Sequence, residues 1–386
     1  MRICLAYDHL FPETIGGTER WMRDLATRLA ARSHEVTYLT MKHWQDTCAP
    51  ELPGVRVIGL VPPGRVRSEE RRTVGPPLRF GVAVGAHLSR RRGEYDVFHT
   101  AAFPYFPLLA ATAARRRGGF RVFADWHEVW TRDYWRRYGG TFVGSVGWAV
   151  QRACVRSSHR AFCVSRLHAQ RLVAEGYSGT PVILPGLYAG SLTPTPAEAI
   201  DRSLIVYAGR HVREKRLDLL LEGFADAKKR RPDLRLELYG DGPMRTTIAD
   251  LARRLELGES VVVAGHRSEG EVGAALARAA CVATASEREG YGLVVVEAAA
   301  HGTPSVVVAG PENAATELVE EGVNGAVAPT ASPGALAAAL LRVLERGSSL
   351  RASTADWFAE NAPTLTLDRS LDVVLSAYDD ATGAVG

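Results

Sequence analysis

A chain of 386 residues exceeds what one compact core usually supports and fits two domains of roughly 150 to 200 residues each. With 46% hydrophobic and 23% charged residues, and no apolar run near the roughly 20 residues that cross a bilayer, the sequence excludes a membrane-spanning or disordered chain. The net charge of +4 hides an asymmetry: residues 1–200 hold 27 Lys+Arg against 16 Asp+Glu and the remainder 20 against 27, leaving +11 and −7.

The predicted elements begin with RICLAY (2–7), a strand that follows Met1 without the apolar stretch and small-residue cleavage site of a secretory signal. That start points to the cytoplasm. After DHLFPETIGG comes a helix from near Thr18 to near Ser33, then the strand EVTYLT. Gly16 and Gly17 therefore sit between first strand and first helix, where backbone amides can approach a phosphate or an acceptor closely. No GxGxxG follows that strand, which argues against a nicotinamide dinucleotide. VRVIGL, YDVFHT, FRVFAD and AFCVS are the further strands of this half.

His127, in DWHEVW, follows FRVFAD. A histidine among aromatics is either a packed structural residue or a site residue at a strand end, and His99 in YDVFHT competes with it. Trp130, Tyr134, Trp135 and Tyr138 either shape an acceptor site or belong to the core. Arginines cluster at Arg65, Arg67, Arg71 and Arg72, at Arg90 to Arg92, and at Arg115 to Arg117. They form a solvated face beside helix ends or attract an anionic acceptor or a membrane surface. No recognised motif accompanies them, so nucleic acid is not expected. Cys4, Cys48, Cys154, Cys163 and Cys281 are odd in number and lack CxxC spacing, which supports neither a disulfide framework nor a zinc site.

LPGLYAGSLTPTPAEAID (184–201) is the linker candidate. Beyond it the grammar of strand, turn and helix restarts: SLIVYAG (203–209), RHVREK, the helix RLDLLLEGFADAKKR and the strand LRLELYG. GDGP (240–243) ends a strand and starts a helix, a mainly structural turn, and VVVAG, CVATAS and SVVVAG are further strands. Short apolar strands alternating with helices predict parallel sheets covered on both faces. The tail from about Leu365 has helical spacing.

Two places carry charge in an unusual setting. Only four of the 47 basic residues are lysines, and Lys215 lies at a helix start, five residues after Arg210. Cations there oppose the helix dipole, so the pair is better explained as converging on a diphosphate. In EREGYGLVVVEAAAHGTP (287–304) a strand-to-helix turn holds Glu289 in the loop and Glu297 on the helix, with Gly290 and Gly292 allowing tight backbone. The two acids are either solvated surface charges or acceptors for sugar and ribose hydroxyls beside a bound anion.

This segment resembles the retaining glycosyltransferases of family 4, in which E, G, F or Y, G and then E-A-x-A-x-G-x-P recur at this spacing. Glu289, Gly290, Tyr291, Gly292, Glu297, Ala298, Ala300, Gly302 and Pro304 match. The resemblance implies a GT-B fold, two Rossmann-like doubly wound α/β domains facing a central cleft. It places an acceptor-binding domain at 1–185, a linker at 186–199, a nucleotide-sugar-binding domain at 200–364 and a final helix, 365–386, packed back on the first. It implies metal-independent transfer of a hexose from a UDP- or GDP-linked donor to a hydroxyl acceptor, with retention of configuration. His127, Arg210, Lys215 and Glu289 would be catalytic. Gly16, Gly17, Arg210, Lys215, Glu289, Gly290, Tyr291, Gly292, Leu293 and Glu297 would hold the donor, while Glu317 is structural. No cofactor or metal is expected; the partners are the donor and the acceptor, and a peripheral membrane contact through the basic half is the alternative to a solvated face for the arginine clusters. A non-catalytic nucleotide-sugar-binding or scaffold protein of the same fold is the alternative.

Overall fold

The computed structural model describes residues 1–13, 16–45, 49–64, 67–68, 71–193 and 199–383. Cys48, Arg65, Thr14 and Ile15 of the PETIGGTER segment, and 194–198 of the expected linker lie outside the described residues. The chain divides into two compact units, Met1–Pro185 with Asp368–Gly386, and Gly186–Leu367.

In the first unit, parallel strands stand in the order Val55–Val61, Glu35–Met41, Arg2–Ala6, Val97–Ala101, Arg121–Trp126, Arg160–Cys163 and Val182–Ile183. Taken along the chain that is 3-2-1-4-5-6-7, so the order reverses between the first and fourth strands, where Ile3 pairs with Val97 and Ala6 with Thr100. These strands are near-continuous apolar runs because helices cover both faces. Helix α1 (Gly17–Ala31) buries Trp21, Leu25 and Leu29, one residue per turn, together with Met22 and Ala26. Helices α2 (Gly75–Arg90), α3 (Phe106–Gly118) and α4 (Arg132–Val155) contribute Phe80, Leu108 and Trp135 to a single core cluster with Cys4 and Phe98. Helix α5 (Arg166–Ala174) completes the connections.

In the second unit the order is Val261–Gly265, Arg235–Tyr239, Asp201–Ala208, Ala279–Ala283, Ser305–Val308 and Gly325–Ala328, which is 3-2-1-4-5-6. Helices α6 (Leu217–Arg230), α7 (Arg245–Arg254), α8 (Glu269–Arg278), α9 (Leu293–Ala299) and α10 (Pro333–Asn361) connect and cover these strands. Both units are therefore doubly wound parallel α/β layers with a switch point at the first strand. Within this unit Gly186–Tyr188 runs beside Leu365–Leu367, with Tyr188 N donating to Leu365 O (3.0 Å) and Leu367 N to Tyr188 O (2.8 Å).

Helix α11 (Leu367–Thr382) belongs almost wholly to the first unit. Asp368 pairs with Arg28 and Asp372 with Arg32 (2.8 Å), while the Tyr378 ring meets Phe123 edge-on at 4.6 Å. Among the described residues the four cysteines are buried and unpaired, and no helix is long and apolar enough to cross a membrane.

Candidate functional site

The loops that leave the first and fourth strands of the second unit rise from neighbouring positions, since Ile205 pairs with Cys281 and Val206 with Val282. Open parallel sheets hold ligands at this reversal point, outside the carboxyl ends of the strands. Lys215 closes a 3-10 turn, Arg213–Lys215, in the first loop, and Glu289 lies in a two-residue strand, Arg288–Glu289, in the second. Their side chains meet: Lys215 Nζ donates to Glu289 Oε2, with both groups about four-fifths buried. One residue back the charges are reversed, and Arg288 donates to Glu214 at 3.3 Å. Glu287 N donates to the Glu214 carbonyl at 2.9 Å, so two ion pairs and a backbone bond join the loops.

Arg210, by contrast, is exposed, and its guanidinium makes no hydrogen bond or ion pair to a described residue. Only its carbonyl is engaged, accepting from the Tyr207 hydroxyl (2.9 Å). The structure thus brings Lys215 to Glu289, a pairing that spacing did not suggest. The GDGP turn lies directly beneath the Arg210 loop: Gly209 N donates to Tyr239 O (3.0 Å) and His211 N to Asp241 O (2.9 Å). A methyl group at Gly240 would stand 2.0 Å from the Gly209 carbonyl oxygen, and one at Gly242 2.5 Å from that of His211. That close approach is why the turn needs glycine.

His211, which the sequence reading passed over, is fully buried, and neither ring nitrogen has a hydrogen-bond partner among the described residues. Burial holds its pKa below the ordinary histidine value, which favours the neutral ring.

The Glu289 loop is braced from the following strand. Glu289 pairs with Asn313, and the buried Asn313 amide donates to Ser286 O (3.1 Å) and Val308 O (2.9 Å) while accepting from Ala315 N (3.0 Å). An asparagine in a Pro-Glu-Asn turn was the available signal for this brace. Gly292 caps α9 with φ +99°, and a methyl there would meet Ala315 Cβ at 2.6 Å. Tyr291 is buried between Gly290 and Gly292, and burial raises its hydroxyl pKa. Helix α9 opens at Leu293 and carries Glu297, half-buried and close enough to Tyr188 for its charge to add to the burial that raises the Tyr188 pKa. The helix is seven residues long, and after it Gly302 turns at φ +66° with its N–H on Ala299 O (2.8 Å). Beyond it the buried Arg351 guanidinium donates to the carbonyls of Ala277, Ala279 and His301 and to Thr303 Oγ1, fixing the end of α9 against the strand at Ala279. Glu317 sits in the 3-10 turn Ala314–Leu318.

In the first unit, Gly17 begins α1 and Gly16 is its extended N-cap, where a methyl would collide with Glu19 Oε2 at 2.3 Å. His127 follows the strand Arg121–Trp126; its Nε2 is enclosed with no partner among the described residues, and burial lowers its pKa against the opposing charges of Asp125 and Glu128. His99 is different. Fully buried, it contacts Asp125 Oδ1 through Nε2 (2.8 Å) and the Tyr378 hydroxyl through Nδ1 (2.5 Å), while Trp21 Nε1 donates to Asp125 Oδ2 (2.7 Å). His99 ties α11 to the sheet and Asp125 ties α1 to it. Trp130, Tyr134 and Trp135 prove to be core residues: Gln151 Oε1 accepts from Tyr105 Oη, Trp130 N and Trp135 Nε1, and Gln151 Nε2 donates to Trp130 O. Among the described residues no group of three or more His, Cys, Asp or Glu side chains is placed to hold a metal.

Comparison with known proteins bears on the whole chain. The family described as glycosyl transferases group 1 matches residues 195–363, and a glycosyl transferase 4-like domain matches 16–186. A D-inositol 3-phosphate glycosyltransferase of Nocardiopsis dassonvillei is 31% identical over 95% of this chain and 90% of its own. Among solved structures, a sucrose-phosphate synthase of Thermosynechococcus elongatus superposes with a TM-score of 0.81 at 19% identity, covering 100% of both chains. HepE of Anabaena, solved with UDP-glucose, gives 0.73 at 17% identity over 98% of this chain and 100% of that one. With two doubly wound sheets and these relatives, the chain belongs to the group 1 glycosyltransferases of the GT-B class, family 4-like.

Proposed function

We propose that the protein transfers a hexose from a UDP- or GDP-linked donor to a hydroxyl group of an acceptor, with retention of configuration and without a metal ion. The donor diphosphate lies on the second unit, against Lys215 and Arg210, which offset the charge that grows as the sugar leaves. Glu289 orients the sugar and Glu297 accepts from the ribose hydroxyls. Gly290 to Leu293 shape the turn beneath the diphosphate. In the first unit Gly16 and Gly17 face donor phosphates and acceptor, and His127 faces the reacting sugar. The departing diphosphate takes the acceptor proton, and the basic first unit makes a peripheral contact with the inner face of a membrane.

One observation carries this reading: Lys215 and Glu289, 74 residues apart in sequence, meet at the switch point of the second sheet. The UDP-glucose held by HepE adds support for a nucleotide-sugar donor. Thermal-shift stabilisation by a panel of nucleoside diphosphates and their sugars, without added metal, is the test, because a ligand bound only to the folded state raises its stability. A preference for one nucleotide is expected, followed by slow hydrolysis of its sugar conjugate without acceptor. No shift with any nucleotide would overturn the donor site.

A further inference from the structure

The first unit leaves an apolar row on α2 in solvent: Val74, Leu78 and Val82, at i, i+4 and i+8, are 60%, 46% and 66% exposed. The opposite side of the same helix is buried through Phe80, Val84 and Leu88. A second apolar group lies on α4, where Gly140 (φ 74°, ψ 179°) breaks the helix and Trp135 packs back under Gly147, within 2.4 Å of where a methyl would stand. Just past that corner Phe142 is 80% exposed, followed by Val143 and Val146. Helix α3 lies between the two, packing on α2 where Gly81 meets Phe106 and touching α4 on its other side.

Charge on this layer is one-sided. Helices α2, α3 and α4 carry nine arginines and one acid, Asp133. Arg79, Arg116, Arg117, Arg136 and Arg137 are all exposed. A second copy of the chain would bring like charges together, whereas an anionic bilayer offers phosphates for the guanidinium groups and an apolar layer for the side chains between them.

We infer that the α2–α3–α4 layer docks on an anionic lipid bilayer, with Phe142, Val143 and Val146 and the α2 row entering the interface and the arginines bound at the headgroups. This names the surface of the peripheral contact proposed above and does not depend on the identity of the donor.

The test is co-sedimentation of the full chain with vesicles of phosphatidylcholine alone or rich in phosphatidylglycerol, at low and raised salt, beside sedimentation velocity of the protein alone. Binding is expected only to the anionic vesicles, weakening with salt. Phe142→Ser with Val146→Ser, and separately Arg136→Glu with Arg137→Glu, should each lower it on the order of tenfold. Stabilisation by nucleoside diphosphate should be the same in all variants, which keeps failure of the donor reading separate from failure of this one. Absence of binding to anionic vesicles, or equal binding by every variant, overturns the inference. So does a dimer that the Phe142→Ser/Val146→Ser chain cannot form, which would assign the face to a second copy.

Discussion

Lys215 donates a hydrogen bond to Glu289 across the gap between two loops that sequence separates by more than seventy residues. Each group assigned to the donor is therefore the other's counter-charge. Under the proposed function an arriving diphosphate would compete with Glu289 for the ammonium group and leave the carboxylate open to sugar hydroxyls, so binding and orientation would be coupled in one exchange of partners.

Lys215→Ala should lower turnover on the order of a hundredfold, by comparison with loss of one charge-stabilising donor at a reacting centre. Steady-state kinetics with the donor found by thermal shift would measure it. A variant with unimpaired kcat would remove Lys215 from its role.

On the proposed assignment the two acids differ in the part of the donor they touch. Glu297→Ala should weaken calorimetric binding of the free nucleoside diphosphate more than Glu289→Ala, since the ribose is present in that ligand and the sugar is not. The reverse order would exchange the two assignments.

The second rung, Glu214 with Arg288, aligns the loops, and both groups are largely buried. Glu214→Arg or Arg288→Glu alone sets like charges together and should reduce nucleotide affinity, by about tenfold for a cost near 1.4 kcal/mol. The exchanged double variant should recover most of it. Failure of the exchange to recover more than either single variant would show that the pair does not act as a unit.

Much of this was legible because it is periodic. The strands RICLAY, EVTYLT and SLIVYAG, the helix carrying Leu217, Leu220, Leu221 and Phe224, and the Glu289–Gly292 turn all appear where local pattern puts them. What pattern could not supply is partnership at long range. Nothing near His99 announces Tyr378, 279 residues away, and nothing near Arg351 announces the carbonyls of Ala277 and His301. The α10 helix, rich in alanine and broken at Gly347, carries no strong apolar period in its sequence. The aromatic run around Trp130 was ambiguous because Gln151, whose amide makes it a core, is a residue type seldom buried.

Backbone proximity makes another prediction. Gly240 has φ +121°, and its missing methyl leaves room for the Gly209 carbonyl. Gly240→Ala should cost about 2 kcal/mol or more in unfolding free energy. Gly334→Ala, in the first turn of α10 with nothing within 4 Å, should be neutral or stabilising by up to about 1 kcal/mol. Chemical denaturation of both variants measures the contrast, and equal stabilities would refute it.

His159 supplies the pH dependence. Its Nε2 accepts from Trp126 Nε1 (3.0 Å), and its Nδ1–H donates to the Ser157 carbonyl (2.8 Å), so the neutral ring satisfies both contacts and a second proton would break the first. Burial holds the folded pKa down at about 4, against 6.5 ordinarily. The unfolded chain therefore takes up a proton first as pH falls. The contribution is fully present above about pH 6.5 and is lost as pH drops toward 4, amounting to no more than about 3 kcal/mol. Burial depresses His127 and His211 in the same direction, so they add to the same slope. The expected result is a Tm that falls from pH 7 to pH 5 in the parent chain and falls less in His159→Gln, whose amide can still accept from Trp126. Parallel curves for the two would mean that His159 titrates no differently in the folded and unfolded chain.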